Sequence, residues 1–417
     1  MNKKIPDRWS IYPLKDICYF QEGPGLRNWQ YKKLGIKFLN IRCIKDGKVD
    51  LSIAQSVAKE EVNNKYKHFL LDANDYVLSS SGTLGRLATI DASNLPLLLN
   101  TSIIRFRSSN ENVLDHLFLR YFLQGKYFFD KISEQSQGSA QVNVGPTHLK
   151  LLNVILPTLP EQKKIASILN SVDEVIEKTQ LQINKLQDLK KGTINELLTK
   201  GIGHTEFKDS DLGRIPKSWE IKKLEELVNH QRPITYGIVQ TGENIIEGIP
   251  CVRVVDIVKN RPNPEHMIKT SQKISDSYKR TILQKNDILF ALRGEIGHVV
   301  KTSNKIVGCN LTRGIALLSS SENIGSDFLI WALRSDKVRN KILDSVNGSA
   351  LQEIPLGNLR KVTIPVPTTF EQNKIANILE SINSNIESTN IKLSQTQSLK
   401  KSLMQDLLTG KVRVQVN

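Results

Sequence analysis

The chain has 417 residues, 39% of them hydrophobic, and its 58 Lys plus Arg against 42 Asp plus Glu give a formal net charge of +16. That length exceeds one ordinary core and predicts two or three domains. The apolar content excludes a disordered chain, and the basic surplus favours a polyanionic partner such as nucleic acid.

The four cysteines, Cys18, Cys43, Cys251 and Cys309, form no Cys-x-x-Cys pair. This argues against zinc and predicts free thiols in a reducing compartment. The first ten residues lack the apolar core of a signal peptide, and no run reaches the roughly 20 apolar residues that span a bilayer. A cytoplasmic location is expected.

In chain order, Ile5-Pro6-Asp7-Arg8-Trp9 leads into short segments that alternate or carry β-branched residues, at 36–42, 76–78, 86–90 and 103–107. Gly, Asn and Asp punctuate them, as strand-and-turn structure requires. Helical periodicity follows over 114–129, and then Gly138-Ser139-Ala140 and Pro157. From Thr158 the chain changes character. Thr158-x-x-Glu161 has the form of a capping box, and Ile165, Leu169, Val172, Ile176, Ile183 and Leu186 recur at coiled-coil spacing, with Thr179 in one slot. No proline follows Pro160 until Pro216, which allows one helix of about 40 residues and about 60 Å. A polar, glycine-rich link occupies 200–214.

The pattern then repeats at an offset of 210 residues. Ile215-Pro216-Lys217-Ser218-Trp219 matches Ile5 to Trp9. Strand-like segments follow at 250–255, 288–291, 298–300 and 314–318, with helical periodicity over 328–343. Asp75-Tyr-Val-Leu-Ser-Ser-Ser-Gly82 resembles Asp287-Ile-Leu-Phe-Ala-Leu-Arg-Gly294, here at an offset of 212, and Gly348-Ser349-Ala350 repeats the earlier triplet at 210. Thr368 then opens a second long helix with Ile375, Leu379, Ile382, Ile386 and Leu393 on its seam and Thr389 in the threonine slot. Either helix alone would leave an apolar stripe in water, so the two are expected to pack together. Because the first delivers the chain to the second module, the pair is expected to be antiparallel. The predicted class is α+β: two similar mixed α/β modules joined by two long antiparallel coiled-coil helices with pseudo-two-fold symmetry. A rod of about 60 Å spans at most roughly 17 base pairs.

Enzyme signatures are missing. The sequence has no phosphate-loop motif, no Asn/Asp-Pro-Pro-aromatic tetrapeptide of amino-group methyltransferases, and no His-x-x-x-His pair. Gly23-Pro24-Gly25 reads as a tight turn, and Asp46-Gly47 as a hairpin turn rather than part of a nuclease site. What remains is a binding surface. Arg27, Asn28, Trp29 and Gln30 form a candidate reading loop, since Arg addresses guanine and Asn or Gln adenine. The alternative is a polar loop with Trp29 folded onto the core. Ser80, Ser81 and Thr83 in the first module and Arg293 in the second sit in glycine turns able to donate to phosphate. Arg42, Arg86, Arg253 and Arg313 are further DNA-contact candidates, with solvated strand residues as the alternative. No metal site is expected.

The duplicated Glu-Gln-x-x-Ile-Ala-x-Ile-Leu helix entry, the repeated Leu-Leu-Thr exit and the Phe207-Lys-Asp-Ser-x-Leu-Gly-x-Ile-Pro-x-x-Trp219 link resemble the specificity subunit of type I restriction–modification enzymes. The resemblance covers the whole chain. It implies target-recognition domains over 1–157 and, with the linker, 202–367. Spacer helices over 158–201 and 368–410 and a tail over 411–417 complete the division. It further implies a reader of a split double-stranded DNA target that makes no bond itself. Two methyltransferase subunits, which hold S-adenosylmethionine, and motor–nuclease restriction subunits would dock on it. The alternatives are an autonomous DNA methyltransferase or nuclease, and a basic coiled-coil scaffold. One departure stands out: the first copy exits as Thr199-Lys200-Gly201, the second as Thr409-Gly410.

With a charge of +16, DNA affinity is expected to fall steeply between about 50 and 200 mM salt through lost counterion release. A salt titration against a fixed duplex measures this, and a flat profile would reject phosphate-dominated binding.

Overall fold

The computed structural model describes residues 5–135, 145–258, 263–346 and 352–416; the Gly138–Ala140 and Gly348–Ala350 landmarks lie outside the described residues. The chain divides into two compact units. One is Met1–Gln180 with Ile391–Asn417, the other Leu181–Asn390. The division cuts both long helices, Leu159–Lys200 and Thr369–Leu407, so each unit owns one module and half of each helix.

In the first unit an antiparallel sheet runs in the order Cys18–Glu22, Ile103–Ser108, Tyr76–Ser79, Leu87–Thr89. A second sheet orders Leu97–Leu98, Ile36–Phe38, Ser56–Val57 and Tyr31–Lys32, with Leu97–Leu98 parallel to Ile36–Phe38. The second unit repeats this plan. Thr235–Tyr236, Ile315–Leu318, Ile288–Ala291 and Val299–Lys301 form one sheet, and Ile268–Thr270, Ile249–Val252 and Asn310–Leu311 the other. At the root of each module a strand pair, Ser10–Pro13 with Asn153–Leu156 or Glu220–Lys223 with Thr363–Val366, leads into a long helix.

The same turn, exposed but for its last residue, precedes a central strand of both modules. Asn74 and Asn286 each adopt φ 68°, a left-handed conformation that asparagine tolerates. The next residues, Asp75 and Asp287, are buried and accept from the amides of Asp72 (2.8 Å) and Gln284 (2.7 Å). Their cations come from different places. Arg107 grips Asp75 at 2.6–2.8 Å and Arg105 lies 3.6 Å away, both from the adjacent strand; Arg232 reaches Asp287 at 2.7–2.9 Å from a loop. Arg105 is thereby buried inside the first module.

Helix packing follows the seam. In the first unit Ile165, Ala166 and Leu169 share a core with Leu407, Leu408 and Phe118, and Lys400 Nζ lies 2.6 Å from Asp173. In the second, Ile375, Ala376 and Leu379 share a core with Leu198 and Trp331, and Lys190 donates to Asn383 at 2.6 Å. The start of one helix thus meets the end of the other in both units, which makes the pair antiparallel. Ile183 and Ile386 are buried, and Val172, Ile176, Leu186, Ile382 and Leu393 half-buried. Thr179 and Thr389 are buried too, each satisfied by donating 2.6 Å to the carbonyl four residues back.

The helix entries use the Glu-Gln pair more fully than a capping box would. Each copy forms only one half of the box: Glu161 accepts from Thr158 N (3.3 Å), and Thr368 Oγ1 from Glu371 N (3.4 Å). The glutamine side chain anchors the module instead. Gln162 donates to Val113 and Pro157 carbonyls at 2.8 and 3.0 Å and accepts from Asp115 N at 2.9 Å. Gln372 donates to Asn323 and Pro367 carbonyls at 3.2 and 2.9 Å and accepts from Gly325 N at 2.9 Å.

Other details differ from the sequence reading. The helical runs at 114–129 and 328–343 are each broken, at Gly125 between His116–Gln124 and Lys126–Gln135, and at Ser335 between Ser326–Arg334 and Asp336–Asp344. A Cβ at Gly125 would fall 2.9 Å from the Leu408 side chain. The expected strand at 250–255 ends at Val252, because Asp256 accepts from Arg253 N (2.9 Å) and turns Val254–Val258 into a helix. Asp46 and Gly47, at φ 48° and 78°, form the hairpin turn between Ile44–Lys45 and Lys48–Val49. All four cysteines are free and buried, and burial pushes the Cys18 thiol up to about 12 and Cys251 to about 11. No helix among the described residues is long and apolar enough to cross a membrane.

A fragment ending at Ser210 keeps one module and one long helix with a bare seam. The Leu197-Leu198-Thr199 end of that helix repeats Leu407-Leu408-Thr409, which covers Ile165 and Leu169 in the native unit. The fragment is therefore expected to form a symmetric antiparallel dimer. Sedimentation measures this; a soluble monomer would contradict the pairing.

Candidate nucleic-acid interface

In each module four loops emerge at the same edge. Parallel pairing of Ile36–Phe38 with Leu97–Leu98 delivers residues 40–43 and 99–102 to one end, and Tyr76–Ser79, antiparallel to Ile103–Ser108, brings the 80–86 turn beside them. Ser80 N donates to Ser102 O at 2.9 Å. The turn is internally braced, with Ser79 Oγ donating to Thr83 O (2.5 Å) and accepting from Arg86 N (2.9 Å). Gly82 holds φ 65° and faces the Ile41 side chain. Arg42, Thr83, Arg86 and Thr101 are exposed there and Ser81 half-exposed, while Arg86 NH1 lies 3.4–3.5 Å from the carbonyls of Ile41 and Ile44. A polar rim results, with the Arg42 and Arg86 guanidinium groups exposed on it.

The second module builds the equivalent rim. Ile249–Val252 and Asn310–Leu311 are parallel and lead to 253–256 and 312–314, and Ile288–Ala291 leads to the 292–298 turn. Leu292 N donates to Gly314 O at 2.9 Å. Gly294, at φ 71°, faces the Val254 side chain as Gly82 faces Ile41. Arg293 crosses Gly314 so closely that a Cβ there would sit 2.9 Å from its Nε. Arg293 and Arg313 are both exposed. Arg253 is half-buried, its guanidinium held by Asp256 at 3.0–3.1 Å.

The Arg27–Gln30 stretch lies elsewhere. It forms a short turn, Asn28–Gln30, ahead of Tyr31–Lys32, which pairs with Ser56–Val57. Both Tyr31 and Ile36 pair with Val57, so the stretch sits at the other end of Ile36–Phe38 from residues 40–43. Gln30 is 3% exposed; it accepts from Arg27 N (2.8 Å) and donates to Glu61 (2.7 Å) and Tyr66 Oη (3.1 Å). Its amide is spent on the fold. Ser80 is likewise buried. Trp29 is 71% exposed rather than folded onto the core, and Arg27 and Asn28 are exposed beside it.

Sequence reasoning missed one loop. Gly23 and Gly237 each press so closely on a neighbouring backbone, at Leu99–Asn100 and at Leu311, that no Cβ fits. Past Gly237 the chain turns along the rim: Arg313 N donates to Ile238 O at 2.9 Å, and Val239 and Gln240 are exposed. The signal available was a glycine one residue beyond the edge strand in both repeats. Among the described residues no cluster of His, Cys, Asp or Glu is arranged to hold a metal ion.

The comparisons agree with this layout. The sequence profile described as "Type I restriction modification DNA specificity domain" matches twice, at residues 6–188 and 216–396. A putative type I restriction enzyme MjaX specificity subunit from Methanocaldococcus jannaschii is 30% identical, covering 99% of this chain and 95% of the relative. The EcoBI specificity subunit from Escherichia coli is 24% identical over 99% of this chain and 88% of its own. Among solved structures, the S subunit of a type I restriction–modification system from M. genitalium superposes with a TM-score of 0.56 at 17% identity, over 100% of this chain and 98% of that one. A chain from a study of complex assembly and conformational transition in the type I system reaches 0.61 at 16%, over 98% and 100%. The chain belongs to the family of type I restriction–modification specificity subunits.

Proposed function

We propose that the chain reads a split DNA target, one half with each recognition domain, and holds methyltransferase and restriction subunits while making no bond itself. The observation that supports this best is the recurrence of one rim, with exposed guanidinium groups at matching turns, in two modules whose loops differ in sequence. Guanidinium groups read guanine edges or grip phosphate. In this reading Arg42, Ser81, Thr83 and Arg86 face the first half-site, and Arg293 and Arg313 the second, with Arg253 supporting from its Asp256 pairing. Ser80 braces this contact from inside, whereas Arg27, Asn28 and Trp29 lie at the opposite end of Ile36–Phe38 and Gln30 holds their turn to Glu61 and Tyr66. The protein acts in the cytoplasm, and S-adenosylmethionine binds the partner rather than this chain.

Docking calls for an apolar face that the helix pair leaves open. Leu181 and Leu189 in one unit and Ile391 and Leu399 in the other are exposed beside a covered seam. Each pair is the 210-residue image of the other. We assign them as equivalent seats for two methyltransferase subunits.

Selection from a degenerate duplex pool should return two short fixed sequences separated by an unspecified gap; a single continuous site would reject the reading. The chain alone, given methyl donor and that duplex, should transfer no methyl group. Arg86→Ala should relax choice in the first half-site only, and Arg293→Ala in the second only, each by about 1–3 kcal/mol where the contact is bidentate to a base. Gln30→Ala should instead destabilise the first module by about 1–3 kcal/mol, through unsatisfied partners, and leave base choice intact. Leu189→Asp and Leu399→Asp should each remove one methyltransferase subunit from the complex, as counted by native mass spectrometry.

A further inference from the structure

The two long helices finish on one device built from different residues. Each is followed by a glycine in the left-handed region, Gly201 directly, at φ 66°, and Gly410 after a turn, at φ 71°, with an indole ring against it. A Cβ on Gly201 would fall 2.8 Å from Trp219, and one on Gly410 3.1 Å from Trp9. Counted from these glycines, His204 and Arg413 hold the same third position. The one-residue difference between the two exits vanishes in this frame.

Both side chains turn to the buried glutamate that opens the opposite helix. In the second unit His204 Nε2 lies 2.9 and 3.1 Å from the Glu371 oxygens. In the first, Arg413 Nε donates to Glu161 Oε1 at 2.8 Å and its Nη2 lies 2.7 Å away. The surroundings then diverge. Glu371 also accepts from Ile202 N (2.8 Å) and Trp219 Nε1 (3.0 Å). Trp9 Nε1, the counterpart of that indole donor, is buried and unbonded among the described residues. Arg413 instead donates to Asp7 O at 2.8 Å and lies over the Trp9 ring, 5.8 Å from its centroid. One carboxylate thereby ties together the first residues of the module, the start of one helix and the tail beyond the other.

We infer that Arg413 is a positioning residue for DNA reading. Its guanidinium fixes the first recognition domain on its helix pair, so that the half-site read by this domain falls at one set distance from the other half. A carboxylate buried this deeply must be paired or hydrogen-bonded, and a two-pronged guanidinium sets direction as well as charge. The clasp acts at the root of the module, where Ser10–Pro13 pairs with the strand that leads into the first long helix. His204 is its counterpart on the second domain. The inference rests on the split-target reading.

The test uses the complex with methyltransferase subunits and duplexes whose gap between half-sites is lengthened or shortened by one base pair. Wild type should favour one gap. Arg413→Ala should lower that preference about tenfold while leaving the base choice within each half-site unchanged. Arg413→His, which copies the second clasp, should keep the wild-type preference. Where Arg413→Ala does not fold, the double variant Glu161→Gln/Arg413→Gln, a neutral pair, should show the same loss. An unchanged gap preference in the folded Ala or double variant overturns the inference, as does an Arg413→His protein as permissive as Arg413→Ala. A wild-type complex with no preference for any split target overturns the underlying reading instead.

Discussion

An amphipathic helix of about 40 residues cannot leave its apolar stripe in water, and most of its stability comes from what covers that stripe. Here the cover is its own repeat, laid alongside in the opposite direction. That constraint organises the rest. Because Ile165 and Leu169 share a core with Leu407 and Leu408, and Leu198 with Ile375 and Leu379, each module gains a platform made from both helices. Gln162 and Gln372 then bolt the modules down through the carbonyls of Val113 and Asn323, in the loops just ahead of His116–Gln124 and Ser326–Arg334. The repeated Glu-Gln pair has a physical meaning beyond capping: the glutamate meets the far end of the other helix, and the glutamine meets the module.

The helices were legible in the sequence because their information is periodic and duplicated. Register, direction and the buried threonine slots all follow from the spacing of apolar residues and the demand that they be covered. The modules were less so. Their strands are short, and pairing partners lie far apart in sequence, Cys18 with Ser108 and Ser10 with Leu156, separations no local pattern encodes. Landmarks such as Asp75 and Asp287 were visible as repeats, but their cations were not, since Arg105 and Arg107 serve one and Arg232 the other. The Arg27–Gln30 stretch looked like a uniform polar loop. Packing split it, turning Gln30 inward to Glu61 and Tyr66 and leaving Trp29 in solvent. Glycines proved the best guides to the rim, because Gly23, Gly237 and Gly314 mark close approaches and Gly82 and Gly294 left-handed turns, which sequence can flag but not aim.

The shift of the Asp75 and Asp287 counter-cations bears on how the modules diverge. A buried carboxylate must be paired, yet strand and loop positions both satisfy it. The structural charge is therefore not tied to any one rim loop. Rim residues such as Arg86 or Arg313 can change without orphaning a buried group, whereas Arg107 or Arg232 cannot.

Dividing the helices between the units also orders events during synthesis. The second unit is one continuous stretch, Leu181–Asn390, while the first is completed only by Ile391–Asn417. The ribosome makes the first module earliest and the segment that covers its helix last. At about 5–20 residues per second, the Ile165–Leu169 stripe waits roughly ten to fifty seconds for Leu407 and Leu408. During that interval a nascent chain displays the same apolar surface as its neighbours on the same message.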